Sequence, residues 1–342
     1  MIATSLLSLG LGGLGAGLAY WLGFPAPFLT GPALLVSLAA MAGLRSSIPV
    51  GLRNACFLIV GLNLGTGVTP AVLHDALRWP ASLLAMAISI VLFMLLGTWA
   101  LRRMTGCATR TALLAATPGH LSFVLGLSLE TGADLTFVSA VQSLRVLMLT
   151  LLVPAAVALF SDADLTMAVA SGAPIALVHL GLLTALAAGL GMIFTRLRVP
   201  AAFLLAGMAV SVLGHGSGLT PGAAPRFLTY GAFITMGTLI GTRFSGITLR
   251  QIGNAALSAV VLTGGGMIIV LLASLAVHEA VGLPVADVLI ALAPGGLETM
   301  IAMSSVIGAD PTFVGFHHVA RIFLLSFLIP IALARTPPVS KV

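Results

Sequence analysis

Apolar runs follow one another along this chain with little between them. They lie near residues 2–22, 28–44, 54–72, 79–101 and 134–160, then near 172–194, 200–214, 226–242, 252–278 and 311–334. Within each run the apolar positions are continuous rather than alternating every second residue, which predicts helices and not barrel strands. Most runs approach or exceed the ~20 residues that carry a helix across a hydrocarbon core about 30 Å thick. The expectation is an all-α integral membrane protein with about ten transmembrane helices. The first run, from Ile2 to Leu22, lacks a basic start and leads straight into more apolar sequence. It is expected to be a retained helix and not a cleaved signal.

Composition sharpens this picture. Of 342 residues, 59% are hydrophobic and 7% charged, against about 25% charged in soluble domains. No polar linker exceeds a dozen or so residues, so no soluble domain is expected. The net charge of +6 comes from fourteen arginines and one lysine scattered between apolar runs. They form no basic stripe, which argues against a nucleic-acid partner and assigns the charge to membrane topology. Cys56 and Cys107 make neither a disulfide framework nor a metal cluster.

The chain is also duplicated. From Pro118 and Pro294 onward, "PGHLSFVLGLSLETGADLTFV" and "PGGLETMIAMSSVIGADPTFV" align without a gap at an offset of 176. The match runs to Pro154 and Pro330 with 14 identities in 37 positions. Arg145 matches Arg321, and Gly65-Thr66 matches Gly241-Thr242. With one residue of slippage "PAPFL" at Pro25 answers "PAAFL" at Pro200. Repeat one is read as residues 1–160 and repeat two as 171–335 of a single membrane domain.

Each half holds five ordinary runs and one segment broken by Pro-Gly. If the broken segments re-enter on the side they left and the N-terminus is inside, eleven basic residues face the cytoplasm. These are Arg45, Arg53, Arg102, Arg103, Arg110, Arg196, Arg198, Arg243, Arg250, Arg335 and Lys341, with only Arg78 and Arg226 outside. If all twelve segments cross, the split falls to 8 against 5. The positive-inside rule favours the first arrangement, with inverted halves and both termini cytoplasmic. A broken helix that crosses while another run fails to span scores similarly.

Non-helical backbone is tolerated at membrane depth only inside protein or along a watery cavity. Proline removes a backbone donor and glycine loosens the helix further. Pro118-Gly119 and Pro294-Gly295-Gly296 therefore predict breaks between half-helices, and paired breaks in inverted repeats point to a transporter's binding site. Arg145 and Arg321 each lie 11 residues beyond an aspartate, Asp134 or Asp310, that is expected to cap its helix. That is about 16 Å along the axis, near mid-membrane, where an unpaired arginine costs at least ~3 kcal/mol. Each arginine either staples the carbonyl end of a half-helix or meets a substrate carboxylate, and the two roles can coexist. Glu298 is a proton or cation ligand or the partner of Arg321. Ser122, Thr299, His120, Gln142, Asn63 and His318 are the other polar candidates. Ser122 stands opposite Glu298 in the repeat, and Val141 and Gln142 stand opposite His317 and His318. Adjacent histidines in "FHHVAR" diverge by about 100° on a helix, so no metal is expected there. The glycine-rich "GLGGLGAG" and "TGGGM" read as close helix packing rather than phosphate loops.

The duplicated "PGG…GAD…FV…LR…P" block, the "PAPFLTGP" entry and the chain length resemble the bacterial AbrB-type membrane protein family. The resemblance covers essentially the full chain. It implies membership of the cation:proton antiporter and anion transporter superfamily, with inverted repeats and interrupted helices. The family also carries the labels ammonia monooxygenase and regulator of gene expression, and nothing here supports DNA binding. The first half departs from the doubled Pro-Gly-Gly, since His120 replaces the second glycine. The expected function is a multi-pass secondary transporter of the bacterial inner membrane, not an enzyme. It would move a small anionic or zwitterionic solute by alternating access, with H+ or Na+ as coupling ion, no other cofactor, and a homodimer allowed. A membrane sensor without transport is the alternative, and a monooxygenase-type enzyme a weaker one. The binding residues are expected to be Pro118, Gly119, Ser122, Arg145, Pro294, Gly295, Gly296, Glu298, Thr299, His318 and Arg321.

Overall fold

The computed structural model describes residues 2–65, 79–119, 121–160, 175–217, 219–220, 222 and 224–336. Among these every regular element is an α-helix. The first seven are α1 (Ile2–Trp21), α2 (Pro27–Met41), α3 (Val50–Gly65), α4 (Trp79–Thr105), α5 (Thr109–Ala116), α6 (Leu121–Thr131) and α7 (Leu135–Phe160). The next seven are α8 (Leu177–Arg196), α9 (Ala202–Gly216), α10 (Arg226–Thr242), α11 (Leu249–Val281), α12 (Val285–Leu292), α13 (Leu297–Ile307) and α14 (Pro311–Ala334). Six of them, α1, α4, α7, α8, α11 and α14, are long and apolar enough to cross a membrane. This is the all-helical membrane protein that the apolar runs predict. Helices α2, α9 and α10 have only 15 to 17 residues, about 22–26 Å of rise, and the described part of α3 has 16. Helix α3 starts four residues before its apolar run, because Arg53 and Asn54 are absorbed into its first turns; residues 66–72 of that run lie outside the described residues.

Helix bounds recur at the sequence offset of 176. Thr109–Ala116 answers Val285–Leu292, Leu121–Thr131 answers Leu297–Ile307, and Leu135 answers Pro311. Helices α4 and α11 end at matched positions, before Gly106 and Gly282 with φ of 67° and 73°. Near the start of each half the match slips by one residue: α2 and α9 follow Ala26 and Ala201, both at φ near 50°. Alanine rarely adopts that left-handed conformation, so its appearance at matched entries marks a turn imposed by packing. The capping aspartates perform as expected. Asp134 Oδ1 accepts from the amide of Phe137 at 3.0 Å, and Asp310 Oδ1 from those of Thr312 and Phe313 at 2.8 and 3.3 Å.

The chain forms two compact units, each drawing on both sequence halves. One comprises Met1–Leu77, Thr150–Ser245 and Leu297–Gly315. In it α3 packs on α9 as α10 packs on α2, and α1 lies on α2 as α8 lies on α9. Glycines permit these approaches. A Cβ on Gly61 would stand 2.1 Å from the Leu204 carbonyl oxygen, and one on Gly237 would stand 2.3 Å from that of Leu29. Both helix pairs thus meet backbone to backbone, the close packing that small residues allow in membranes.

The second unit comprises Arg78–Leu149, Gly246–Gly296 and Phe316–Val342. Here α4 packs on α11, α4 on α5, and α11 on α12. Gly97 on α4 faces Ala116 at the end of α5, and Gly266 on α11 faces Pro294 just past α12. The two long helices therefore carry the short half-helices on glycine-bearing faces. The described end of each half-helix lies in this unit, together with Arg145 and Arg321.

Candidate functional site

The breaks follow from proline chemistry. A residue before proline is driven out of the α region into extended backbone. Thr117 and Ala293, which precede Pro118 and Pro294, accordingly have ψ of 126° and 133°. Each helix stops there, and its last carbonyls lose the amides that would have bonded to them. In water they would be hydrated. Here they are buried, so the sequence must supply donors.

Arg145, on α7, supplies them for α5. Its Nη1 donates to the carbonyls of Ala115 and Ala116, both at 3.4 Å, and its Nη2 to that of Thr117 at 2.9 Å. Gln142, one turn earlier, donates from Nε2 to the carbonyls of Leu114 and Thr117, both at 3.0 Å. Its Oε1 accepts from Arg145 Nη2 at 2.5 Å. Arg321, on α14, does the same for α12: Nη1 donates to Ala293 at 2.6 Å and Nη2 to Gly295 at 2.7 Å. His318 takes the place of Gln142. Its Nε2 faces the Ile290 carbonyl at 3.1 Å, and its Nδ1 faces Arg321 Nη2 at 2.5 Å.

The two clamps place matched residues at the offset of 176, and both arginines reach the matched carbonyls of Thr117 and Ala293; their other acceptors differ, Ala115 and Ala116 for Arg145 and Gly295 for Arg321. Gln142 and His318 differ in chemistry and so read as different ligands in the two halves. In the fold each faces its own arginine and the matched carbonyl, Leu114 or Ile290, and Gln142 reaches Thr117 as well. Sequence comparison misses this because an amide and a neutral imidazole share a donor–acceptor geometry that no identity score registers.

Both guanidinium groups are fully desolvated; Arg145 is 0% exposed and Arg321 2%. Neither has a carboxylate partner among the described residues. Each keeps a buried Nε with no hydrogen-bond partner. The clamps are close to one another: Arg321 repels Arg145 through space, and Gly119 of the first break lies against the Arg321 guanidinium. A Cβ on Gly119 would stand 3.4 Å from both Nε and Nη2 of Arg321. Phe93, on α4, presents its ring 5.9 Å from the centre of the Arg145 guanidinium, a cation–π distance.

The remaining candidates divide between the units. Pro118, Pro294 and Gly295 are buried at the breaks, and Gly119 and Gly296 partly so. Gly119 has φ of 96°, open to glycine and strained for other residues. Ser122 lies in α6, its side chain outside the described atoms, and His120 lies outside the described residues. Glu298 and Thr299 open α13 in the other compact unit. Thr299 is buried and Glu298 half-buried. The charge of Glu298 acts on Arg243, just past the end of α10 in the same unit. Arg243 was expected among loop arginines, and nothing in its local sequence signals the influence of an acid 55 residues away. Asn63 is buried in α3, on which α13 packs. His317 diverges from His318 as the helical spacing predicts: its Nε2 lies 2.8 Å from Ser82 Oγ on α4. Ser82 already donates to the Trp79 carbonyl at 2.9 Å, so its oxygen is the acceptor for His317.

Comparison with known proteins adds a family. The family model described as "Transition state regulatory protein AbrB" matches residues 28–336. An Escherichia coli (strain K12) protein named "Putative regulator AbrB" is 24% identical over 318 residues, covering 91% of this chain and 90% of its own length. A Bacillus subtilis (strain 168) protein named "Uncharacterized protein YhjN" is 27% identical over 292 residues, or 80% of this chain and 75% of its own. No solved structure matches.

Proposed function

The chain belongs to the AbrB family, and from that premise we propose that it is a secondary transporter for a small anionic or zwitterionic solute. One observation carries the proposal. Two desolvated arginines stand together at two chain breaks, with no carboxylate partner among the described residues, each with an unpartnered Nε. Clamping the carbonyls accounts for the Nη atoms and leaves the Nε atoms unused. Burying like charges side by side is costly, and an anion arriving between them offsets that cost. An Asp or Glu beside them would relieve it permanently, and none of the described residues does so, which favours a transient guest.

The topological reading supports the same function. Among the described residues seven helices of the first half answer seven of the second, at an offset of 175 near the start of each half and 176 beyond it, and the arginine and lysine distribution favours inverted halves with cytoplasmic termini. Alternating access then consists of the two compact units moving as bodies, with Glu298 and Arg243 on one and the arginine clamps on the other. The test is uptake of candidate carboxylates and amino acids into proteoliposomes. Arg321→Ala abolishes uptake while leaving protein that still purifies as a folded monodisperse species; wild-type flux in that variant sinks the site.

A second reading rests on a relative's printed name, regulator. A sensor without transport changes gene expression through conformation alone. Expression effects that survive loss of both Arg321 and Glu298 favour that reading over transport.

A further inference from the structure

The two arginine clamps are the same device with one difference: Gln142 cannot titrate and His318 can. The bonds fix the protonation of His318. Arginine can only donate, so the Nδ1 facing Arg321 Nη2 must accept; a carbonyl can only accept, so the Nε2 facing Ile290 carries the hydrogen. The imidazole is therefore neutral, with its single proton on Nε2. A second proton could enter only at Nδ1. It would set N–H against N–H and break the bond to Arg321.

The charged and titratable groups around the ring oppose that step. On its own helix they are Arg321, one turn on, and His317 beside it, and both act on His318. Arg321 in turn acts on Arg145 of α7. Helix α12, packed against the ring, offers the Ile290 carbonyl, and its acid, Asp287, lies one turn earlier on the half-exposed part of that helix. Helix α4, against the neighbouring His317, offers uncharged Ser82 and Trp79. The setting changes once an anion sits at the guanidinium groups, because the nearest charge then reverses the balance for His318.

We infer that His318 is the proton-coupling group of the anion site: an anion held by Arg145 and Arg321 lets His318 take a proton at Nδ1, so anion and proton are carried together. The inference rests on the anion-site reading above. The proton comes from water and occupies the Nδ1 lone pair; the Arg321 Nη2–H bond to that nitrogen breaks and Nη2 turns to the anion. Release of the anion reverses both changes. For a monocarboxylate the loaded site gains no net charge. Gln142 holds the other clamp fixed throughout, so a single proton accompanies each anion.

The chain itself provides the control. His318→Gln puts into the second clamp the residue that the first carries at the matched position, able to accept from Arg321 and donate to the Ile290 carbonyl. The experiment is calorimetric titration of purified full-length protein with acetate, pyruvate, succinate and inorganic phosphate. Each is run in two buffers of different ionisation heat, which yields protons taken up per anion bound. Wild type takes up about one proton per anion, and affinity rises about tenfold per unit fall in pH above neutrality. His318→Gln binds the same anion with no proton uptake and no pH dependence. Wild-type binding without proton uptake overturns the inference with no variant needed. So does uptake retained in His318→Gln. If none of the four anions binds wild type at any pH, the anion site itself has failed, a separate outcome.

Discussion

Replacing Arg321 with methionine keeps the length of the side chain and removes the fork. Three contacts disappear: those to the Ala293 and Gly295 carbonyls at 2.6 and 2.7 Å, and that to His318 Nδ1 at 2.5 Å. Charge-assisted hydrogen bonds contribute about 1.5–3 kcal/mol each, and a buried acceptor left bare costs about 1–3 kcal/mol. Against these losses stands the relief of desolvating a guanidinium beside a like charge, which offsets part of them. The net expectation is a destabilisation of roughly 3–5 kcal/mol, the usual cost of removing one member of a buried charged network. Arg145→Met should lose a similar amount, since Arg145 holds the Ala115, Ala116 and Thr117 carbonyls. The assay is thermal or SDS-induced unfolding of purified protein, followed by tryptophan fluorescence and circular dichroism. Arg321→Lys separates charge from geometry: it retains the charge and one carbonyl bond, and falls between wild type and methionine. If Arg321→Met unfolds together with wild type, the carbonyls of α12 do not depend on the clamp, and the account of the break is wrong.

Other substitutions probe the surrounding frame. Asp134→Ala and Asp310→Ala each remove an N-cap and should cost about 1 kcal/mol, near-equal in the two halves, checked by the same unfolding assay. Gly119→Ala meets both a φ of 96° and the Arg321 guanidinium at 3.4 Å. It should destabilise by about 1–2 kcal/mol and weaken anion binding in calorimetry. Gly61→Leu and Gly237→Leu would drive a side chain into a facing carbonyl at 2.1 and 2.3 Å, and both should cut the yield of monodisperse protein on size exclusion. Single cysteines beside Arg102 and Arg243 should label from the cytoplasmic side; labelling of a cysteine near Asp162 from that same side defeats the inverted arrangement.

Much of the architecture was legible along the chain because it depends on local rules. Proline fixes where α5 and α12 stop, Gly-Ala-Asp fixes where α7 and α14 begin, and the duplication shows that both rules act twice. The arginines were legible as expensive, since position along a helix gives depth. Their acceptors were not, because carbonyls carry no side-chain identity and every residue has one. The influence of Glu298 on Arg243 was hidden for a related reason: it joins segments distant in sequence that the fold brings into one compact unit. The short lengths of α2, α9 and α10 were legible too, since their apolar runs are themselves only 15 to 17 residues long, and Gly241 near the end of α10 lies against Val36 of α2.

The measurement that bears most directly on the buried arginines is a ligand-induced thermal-shift screen of the purified protein against carboxylates, amino acids, inorganic anions and cations. A ligand at about a hundred times its dissociation constant adds ~2.7 kcal/mol of stability, well within reach of the method. The account predicts that at least one carboxylate-bearing compound raises the melting temperature of wild type, and that this rise vanishes in Arg145→Met and Arg321→Met. Stabilisation by cations alone, or by a carboxylate to the same extent in wild type and both variants, would contradict it.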